Sequence, residues 1–208
     1  NEIIAQCIIF FLAGFQSTST AISHCLYYLA LNQDVQERLK EELDQALNDL
    51  DENSDQYFDA VNIEIPYLEA VIDESLRLNP PINRLQRRVG VDGYKLASIP
   101  LDKDMQVNIS TYAVHHCADY YPDPERFNPL RFMPENKHLL VPYTFLPFGA
   151  GPRNCIGMRF AYQEIKLCLA KIVRQFKFAL TQETKIPLDL NKIFFLGCKN
   201  IPLCVSER

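Results

Sequence analysis

Phe148-Gly149-Ala150-Gly151-Pro152-Arg153-Asn154-Cys155-Ile156-Gly157 is the stretch from which the rest of the chain can be read. One cysteine sits among three glycines and a proline, with an arginine two residues before it. Glycines open backbone conformations closed to other residues and let the main chain approach a ligand closely. An apolar, helix-like run follows at once. A cysteine at a helix start lies where the dipole favours an anion and where backbone N–H groups can reach its sulfur. Those are the needs of a thiolate metal ligand.

Cys155 alone also reads as an inert, buried small hydrophobe. A glycine loop before a helix also reads as a phosphate cradle. The second reading is poor, because no Lys-Ser/Thr pair follows the glycines and Asn154 stands where a dinucleotide loop has its third glycine. The spacing F-x-x-G-x-R-x-C-x-G decides between them. Phe148, Gly151, Arg153, Cys155 and Gly157 fill every fixed position, and the loop resembles the haem-binding loop of the cytochrome P450 family. By that resemblance Cys155 is the axial ligand of haem iron, Phe148 packs beside its sulfur, Gly149 and Gly157 line the cofactor, and Arg153 meets a propionate.

Working outward, 208 residues suffice for one domain with a real core. A composition 48% hydrophobic and 23% charged is that of a soluble globular chain, and with a net charge of −5 nothing suggests nucleic acid as a partner. The seven cysteines are odd in number and form no C-x-x-C pair, so zinc and a disulfide framework are not expected. The chain opens at Asn1 on the apolar run Ile3–Phe15. That run is shorter than the ~20 residues a bilayer span takes, and it lacks the basic start of a signal peptide. It reads as a core helix entered midway. Residues 1–208 are therefore expected to be a single partial domain, lacking an N-terminal part and a membrane anchor.

Residues 2–31 carry apolar positions at helical spacing: Ile4, Ile8, Phe11 and Phe15, then Ile22, Leu26 and Leu29. Between the two sets lies Ala13-Gly14-Phe15-Gln16-Ser17-Thr18. Hydroxyls inside a helix compete for its carbonyls, so this is either a bent core helix or a groove that admits a flat ligand. The segment resembles the family's [AG]-G-x-[DE]-T element, whose acid–alcohol pair passes protons to dioxygen. Ala13 and Gly14 match and would line the haem. Gln16 holds the acid position without being able to ionise, and Ser17 keeps the hydroxyl without threonine's stiff χ1. Thr18 is an alternative hydroxyl one helical step away.

A second helix over 34–50 is expected, capped by Asp34, with a Val35–Leu39–Leu43–Leu47 stripe and otherwise solvated faces. A third over 64–78, with Leu68, Val71, Ile72, Ser75 and Leu76 as a wide packing face, ends at Pro80-Pro81. On it Glu74 and Arg77 are i,i+3 neighbours, on spacing alone a surface ion pair of little worth. By resemblance they are the family's E-x-x-R pair, buried and locked onto a second arginine. The family's F-x-P-x-R-F pattern assigns that arginine to Arg131, in Phe127-Asn-Pro129-Leu-Arg131-Phe132, and leaves Arg126 on the surface.

Residues 84–114 switch to strand period, with a hairpin expected at Asp92-Gly93 and a small mixed sheet around it. The resemblance assigns Ile82, Asn83 and Leu85 to the substrate pocket and Arg87 to a second propionate; a solvated Arg87 is the alternative. His115 and His116 are adjacent, point apart, and are expected in surface or cap roles. Residues 119–147 form a long patternless loop like the family's meander. A last helix spans 156–174 with Phe160, Ile165, Leu169 and Ile172–Val173 inward. The tail forms strands and a hairpin whose tip, with Phe194, matches a substrate-lining loop.

The whole reading is a mainly α fold with small β-sheets: the C-terminal part of a cytochrome P450, from the central long helix onward. It looks most like the microsomal xenobiotic-metabolising branch. The resemblance implies haem b, a lipophilic substrate, and insertion of one oxygen atom from dioxygen. It further implies NADPH acting through a flavoprotein NADPH-cytochrome reductase, cytochrome b5 as a further partner, and an endoplasmic reticulum membrane location facing the cytosol. Two alternatives stay open: a haem-thiolate isomerase or lyase acting on peroxides, and a fragment unable to hold haem alone.

Overall fold

The computed structural model describes residues 1–191 and 195–208. Phe194, assigned above to the substrate-lining tip, lies outside the described residues. Among the described residues six α-helices form the frame: α1 (Glu2–Leu31), α2 (Gln33–Leu47), α3 (Asp55–Asp59), α4 (Pro66–Leu78), α5 (Thr111–His115) and α6 (Met158–Gln175). Six short strands accompany them: β1 (Leu85–Arg88), β2 (Tyr94–Leu96), β3 (Ile99–Leu101), β4 (Gln106–Ile109), β5 (Phe176–Leu180) and β6 (Leu203–Glu207).

The centre of the fold is α4. Pro66 starts it at a position where its missing N–H is no loss. Every residue from Ala70 to Leu78 is buried, and α1, α2, α6 and the 3₁₀ turn Pro129–Phe132 pack around it. A helix enclosed on all sides is normally apolar all round. This one buries Asp73, Glu74 and Arg77. Buried charge must be paired or neutralised, so the surroundings of α4 are where chemistry and stability meet.

The sequence stripes place the other helices well. Val35, Leu39, Leu43 and Leu47 of α2 are buried, as are Ile165, Leu169 and Val173 of α6. Two local expectations fail on α2. Asp34 lies within its first turn and the cap position is Asn32, which makes no side-chain cap bond. Gln36, on a face read as solvated, is fully buried. Its amide donates to Leu29 O and Phe178 O, and its Oε1 accepts from Phe178 N, so it ties α1 and α2 to β5. Phe160 is exposed rather than inward, 6.3 Å from the Phe10 ring.

The sheets differ from expectation too. Among the described residues the strands of 84–114 form two separate two-stranded antiparallel ladders, β1 with β4 and β2 with β3, not one mixed sheet, while the tail strands β5 and β6 pair antiparallel. The hairpin turn falls at Ala97-Ser98, where Ala97 takes a positive φ of 53°, while Asp92-Gly93 only links β1 to β2. A good turn dipeptide marks a reversal, not which strands pair across it.

The two halves of α1 differ. From Thr18 onward it is a core helix, burying Ala21, His24, Cys25, Tyr27, Leu29 and Ala30. Before that, Ile3, Ile4, Ile8, Ile9, Phe10, Phe11, Leu12 and Phe15 are all more than half exposed. By length and composition alone this helix could also cross a membrane.

Candidate functional site

The cysteine loop is built by backbone rather than side-chain bonds. Gly149 and Gly151 adopt φ of 74° and 75°, a region that side-chain-bearing residues rarely enter. These two residues turn the chain so that Cys155 N donates to Phe148 O at 2.8 Å and Asn154 N to Gly151 O at 3.1 Å. Cys155 is exposed three residues before α6 begins, beside Ile156, which is 97% exposed. A Cβ added at Gly157 would meet only the Cys155 sulfur, at 4.0 Å. The sulfur itself receives no backbone hydrogen bond among the described residues. Phe148 turns back into the core, its ring 5.2 Å from that of Tyr162.

Behind the loop lies a buried ion network. Glu74 and Arg77 are both fully buried, and Arg77 grips the carboxylate bidentately: Nε to Oε2 at 2.7 Å and Nη2 to Oε1 at 2.9 Å. Such planar forks are the strongest guanidinium–carboxylate geometry. Arg77 Nη1 also donates to His115 O at 2.8 Å, and Asn128 N donates to Glu74 Oε1 at 2.8 Å. Arg131 does reach this carboxylate: its Nε lies 3.4 Å from Glu74 Oε1, an ion-pair distance without hydrogen-bond alignment. Arg131 Nη2 is spent on Pro122 O and Asp123 O. Arg126 is exposed and offers only its carbonyl, 3.4 Å from Arg77 Nη2.

On α1, Ser17 Oγ donates to Ala13 O at 2.6 Å, one turn back. Its proton is thereby committed and its lone pairs are left to accept. Gln16 and Ala13 are exposed and Thr18 is buried, so Ser17 and Thr18 face different surroundings. A Cβ at Gly14 would meet nothing within 4 Å, so the helix surface is open there. Leu85 of β1 lies against the cysteine loop, its methyls 3.7 and 3.8 Å from where a Gly149 Cβ would stand. Arg87 is two residues further along the strand and so on the same face as Leu85. It is exposed, with Nη1 on Gln86 O, and Arg153 is exposed as well. Ile82 bridges to Phe195, and Asn83 O accepts from Tyr112 N.

The residue that sequence reading missed is His115. It is fully buried, contrary to the surface role expected. Its Nε2 accepts from Leu146 N at 2.8 Å, so Nδ1 carries the proton and donates to Arg77 O at 3.0 Å. It thus ties the meander to α4. Burial pushes its pKa down to about 3. Only the unfolded state binds the proton between the ordinary value near 6.5 and about 3, so this residue's contribution is complete above 6.5 and is lost as pH falls through that window. We expect His115→Phe to destabilise the intact protein by about 2–4 kcal/mol, since two buried backbone groups lose their partner. Urea unfolding should also show a shallower loss of stability between pH 6.5 and 4 than the parent. An unchanged pH slope would remove His115 from that role.

These elements can be set beside known proteins. The chain matches the family model for Cytochrome P450 over residues 1–205, and it belongs to the cytochrome P450 family, the class of haem-thiolate proteins. Among its relatives, cytochrome P450 3A2 of Rattus norvegicus is 46% identical over 191 residues, covering 92% of this chain and 37% of that protein. Cytochrome P450 3A16 of Mus musculus is 44% identical over 208 residues, covering 100% of this chain and 40% of that protein. The probable cytochrome P450 6a13 of Drosophila melanogaster is 43% identical over 198 residues, covering 94% and 39%. The chain therefore spans about two fifths of the length of the curated relatives it matches. Its donor set fits haem. Among the described residues no group of three His, Cys, Asp or Glu could hold a bare metal ion. A single exposed thiol with exposed arginines on the loop and on β1 suits an iron that brings its own equatorial ligands and carboxylates.

Proposed function

We propose that this chain is the haem-binding, C-terminal portion of a microsomal monooxygenase that inserts one oxygen atom from dioxygen into a lipophilic small molecule. The observation that carries the proposal is Cys155: exposed, at the foot of α6, its amide pinned to Phe148 O on a loop whose glycines have positive φ. Haem b held there would supply oxygen activation, with the thiolate's electron donation favouring O–O cleavage. Arg153 and Arg87 would hold the propionates as bidentate donors. Phe148 would shield the sulfur from water and so tune the potential. Glu74, Arg77 and Arg131 hold the scaffold behind the loop. Ile82, Asn83 and Leu85 line the substrate side, with Phe194 proposed beside them. Electrons come from NADPH through a flavoprotein reductase, with cytochrome b5 as a further donor, at the cytosolic face of the endoplasmic reticulum membrane.

The proton path is the unusual part. Because the Ser17 hydroxyl proton is committed to Ala13 O, Ser17 accepts rather than donates, and Gln16 orients a water instead of supplying a proton. We expect coupling to be poor, with part of the NADPH flux lost as peroxide. The paired change Gln16→Glu with Ser17→Thr should raise product formed per NADPH, and Ser17→Ala should lower it further, with substrate affinity little changed in both. The measurement is product and hydrogen peroxide per NADPH with reductase present. Equal coupling in all three proteins removes Ser17 from the mechanism and favours rearrangement of peroxides, which needs no such path.

A further inference from the structure

Asp73 stands one residue before Glu74 on α4, and no cation pairs with it among the described residues. It is 5% exposed. Glu69 is the carboxylate that takes the nearby lysines, Lys137 at 3.2 Å and Lys166 at 2.7 Å. The partner of Asp73 is a phenol: Tyr162 Oη donates to Asp73 Oδ1 at 2.5 Å. The other end of Tyr162 packs on Phe148, ring centroids 5.2 Å apart and tilted by 42°. Phe148 O in turn holds the Cys155 amide at 2.8 Å. An unbroken line of contacts therefore runs from a buried carboxyl on α4, through one side chain of α6, to the backbone of the cysteine.

We propose that Tyr162, fixed by Asp73, is the positioning residue of the cysteine loop: it holds the Phe148 ring, and through it the backbone that presents Cys155. That this loop presents a haem ligand rests on the function proposed above; that Tyr162 orders it does not. The argument is geometric. The loop is tied by main-chain bonds at its ends, and Phe148 is its one large apolar anchor in the core cluster. A phenol held at its hydroxyl cannot slide along Phe148, whereas a plain ring can.

Asp73 adds a dependence on pH. Burial raises its pKa to about 7, against the lowering effect of the Tyr162 bond. The groups facing it are Tyr162 of α6, Cys25 of α1, Glu69 of α4, and Lys166 and Lys137, whose charges Glu69 already occupies. As pH rises through about 7 the folded state must carry a buried carboxylate, or open. A folded pKa raised above the unfolded one means stability is complete below the unfolded value near 3.8 and is lost as pH rises towards 7.

The test is amide hydrogen exchange of the peptide covering residues 148–157 in the intact protein, with and without haem. Tyr162→Phe should speed exchange of that peptide by about 3- to 10-fold, the loss of one net hydrogen bond, and leave α2 unchanged. Asp73→Asn keeps an acceptor for Tyr162 without titrating. It should keep the loop protected and abolish the fall in protection that the parent shows as pH rises from about 4 to about 7, after correction for intrinsic rates. Loop exchange in Tyr162→Phe equal to the parent overturns the proposal. So does acceleration spread evenly over α2 and α6, or a pH response retained in Asp73→Asn. Should Tyr162→Phe fail to accumulate, the pH profile of Asp73→Asn decides. The carbonyl spectrum of the parent separates the two readings. A missing thiolate-type spectrum with faster loop exchange in the variant overturns the haem ligand alone; a normal spectrum with unchanged exchange overturns Tyr162 alone.

Discussion

In the intact, haem-loaded protein, Cys155→Ser is expected to abolish the thiolate-type spectrum of the ferrous carbonyl complex, while Cys168→Ser should leave it unchanged. The two thiols lie on either side of the start of α6 and differ in what surrounds them. Cys155 is exposed on the glycine loop, whereas Cys168 is half-buried on the helix and burial pushes its thiol pKa up. A metal ligand must be a thiolate, and an apolar site opposes that charge. Serine keeps the shape at position 155 but its oxygen is a poor donor to haem iron. A normal carbonyl spectrum in the Cys155 variant would sink the assignment of the ligand and with it the proposed chemistry.

The second large effect is expected behind the loop, and here the geometry reorders what spacing suggests. With Arg131 read as the residue closing the network, its removal would leave Glu74 alone. Glu74 in fact keeps two hydrogen bonds from Arg77 and one from Asn128 N when Arg131 goes. Arg77→Ala is therefore the damaging change, at about 3–5 kcal/mol, because a fully buried carboxylate loses its fork. It also strands His115 O. Arg131→Ala should cost about 1–3 kcal/mol through the ion pair and the Pro122 and Asp123 carbonyls. Arg126→Ala, at an exposed side chain, should stay within about 0.5 kcal/mol. Urea unfolding and haem content should follow that ranking. If Arg126→Ala proved as costly as Arg77→Ala, the register of the meander would be wrong.

Much of this was legible because it is local. The cysteine loop, the stripes of α2, α4 and α6, and the Glu74–Arg77 spacing are patterns within a few residues. Even Arg131 could be placed, since F-x-P-x-R-F separates it from Arg126. The illegible parts are single polar side chains whose role depends on a distant partner. His115 looks like half of a surface histidine pair until Leu146 N and Arg77 O close on it from two other segments. Gln36 interrupts no pattern, yet it satisfies β5. Asp73 and Tyr162 are unremarkable alone and become a pair only when α4 and α6 pack. The strand pairing was misread for the same reason: the turn dipeptide is local, the choice of partner strand is not.

The uneven burial of α1 has a mechanical consequence. From Thr18 on, the helix is clamped by the core, so its opening requires opening the domain. The stretch Ile3–Phe15 before it is held mainly by its own backbone bonds, and an isolated helix of about that length is marginal in water. Local stability therefore falls steeply along one continuous helix, and Gln16 and Ser17 sit on the slope. Whatever packs over Ile3–Phe15 acts as a splint: it would set how sharply Ser17 is held without touching it. Two proteins identical at position 17 could then differ in how much reducing power they waste, according to how well that distant face is covered.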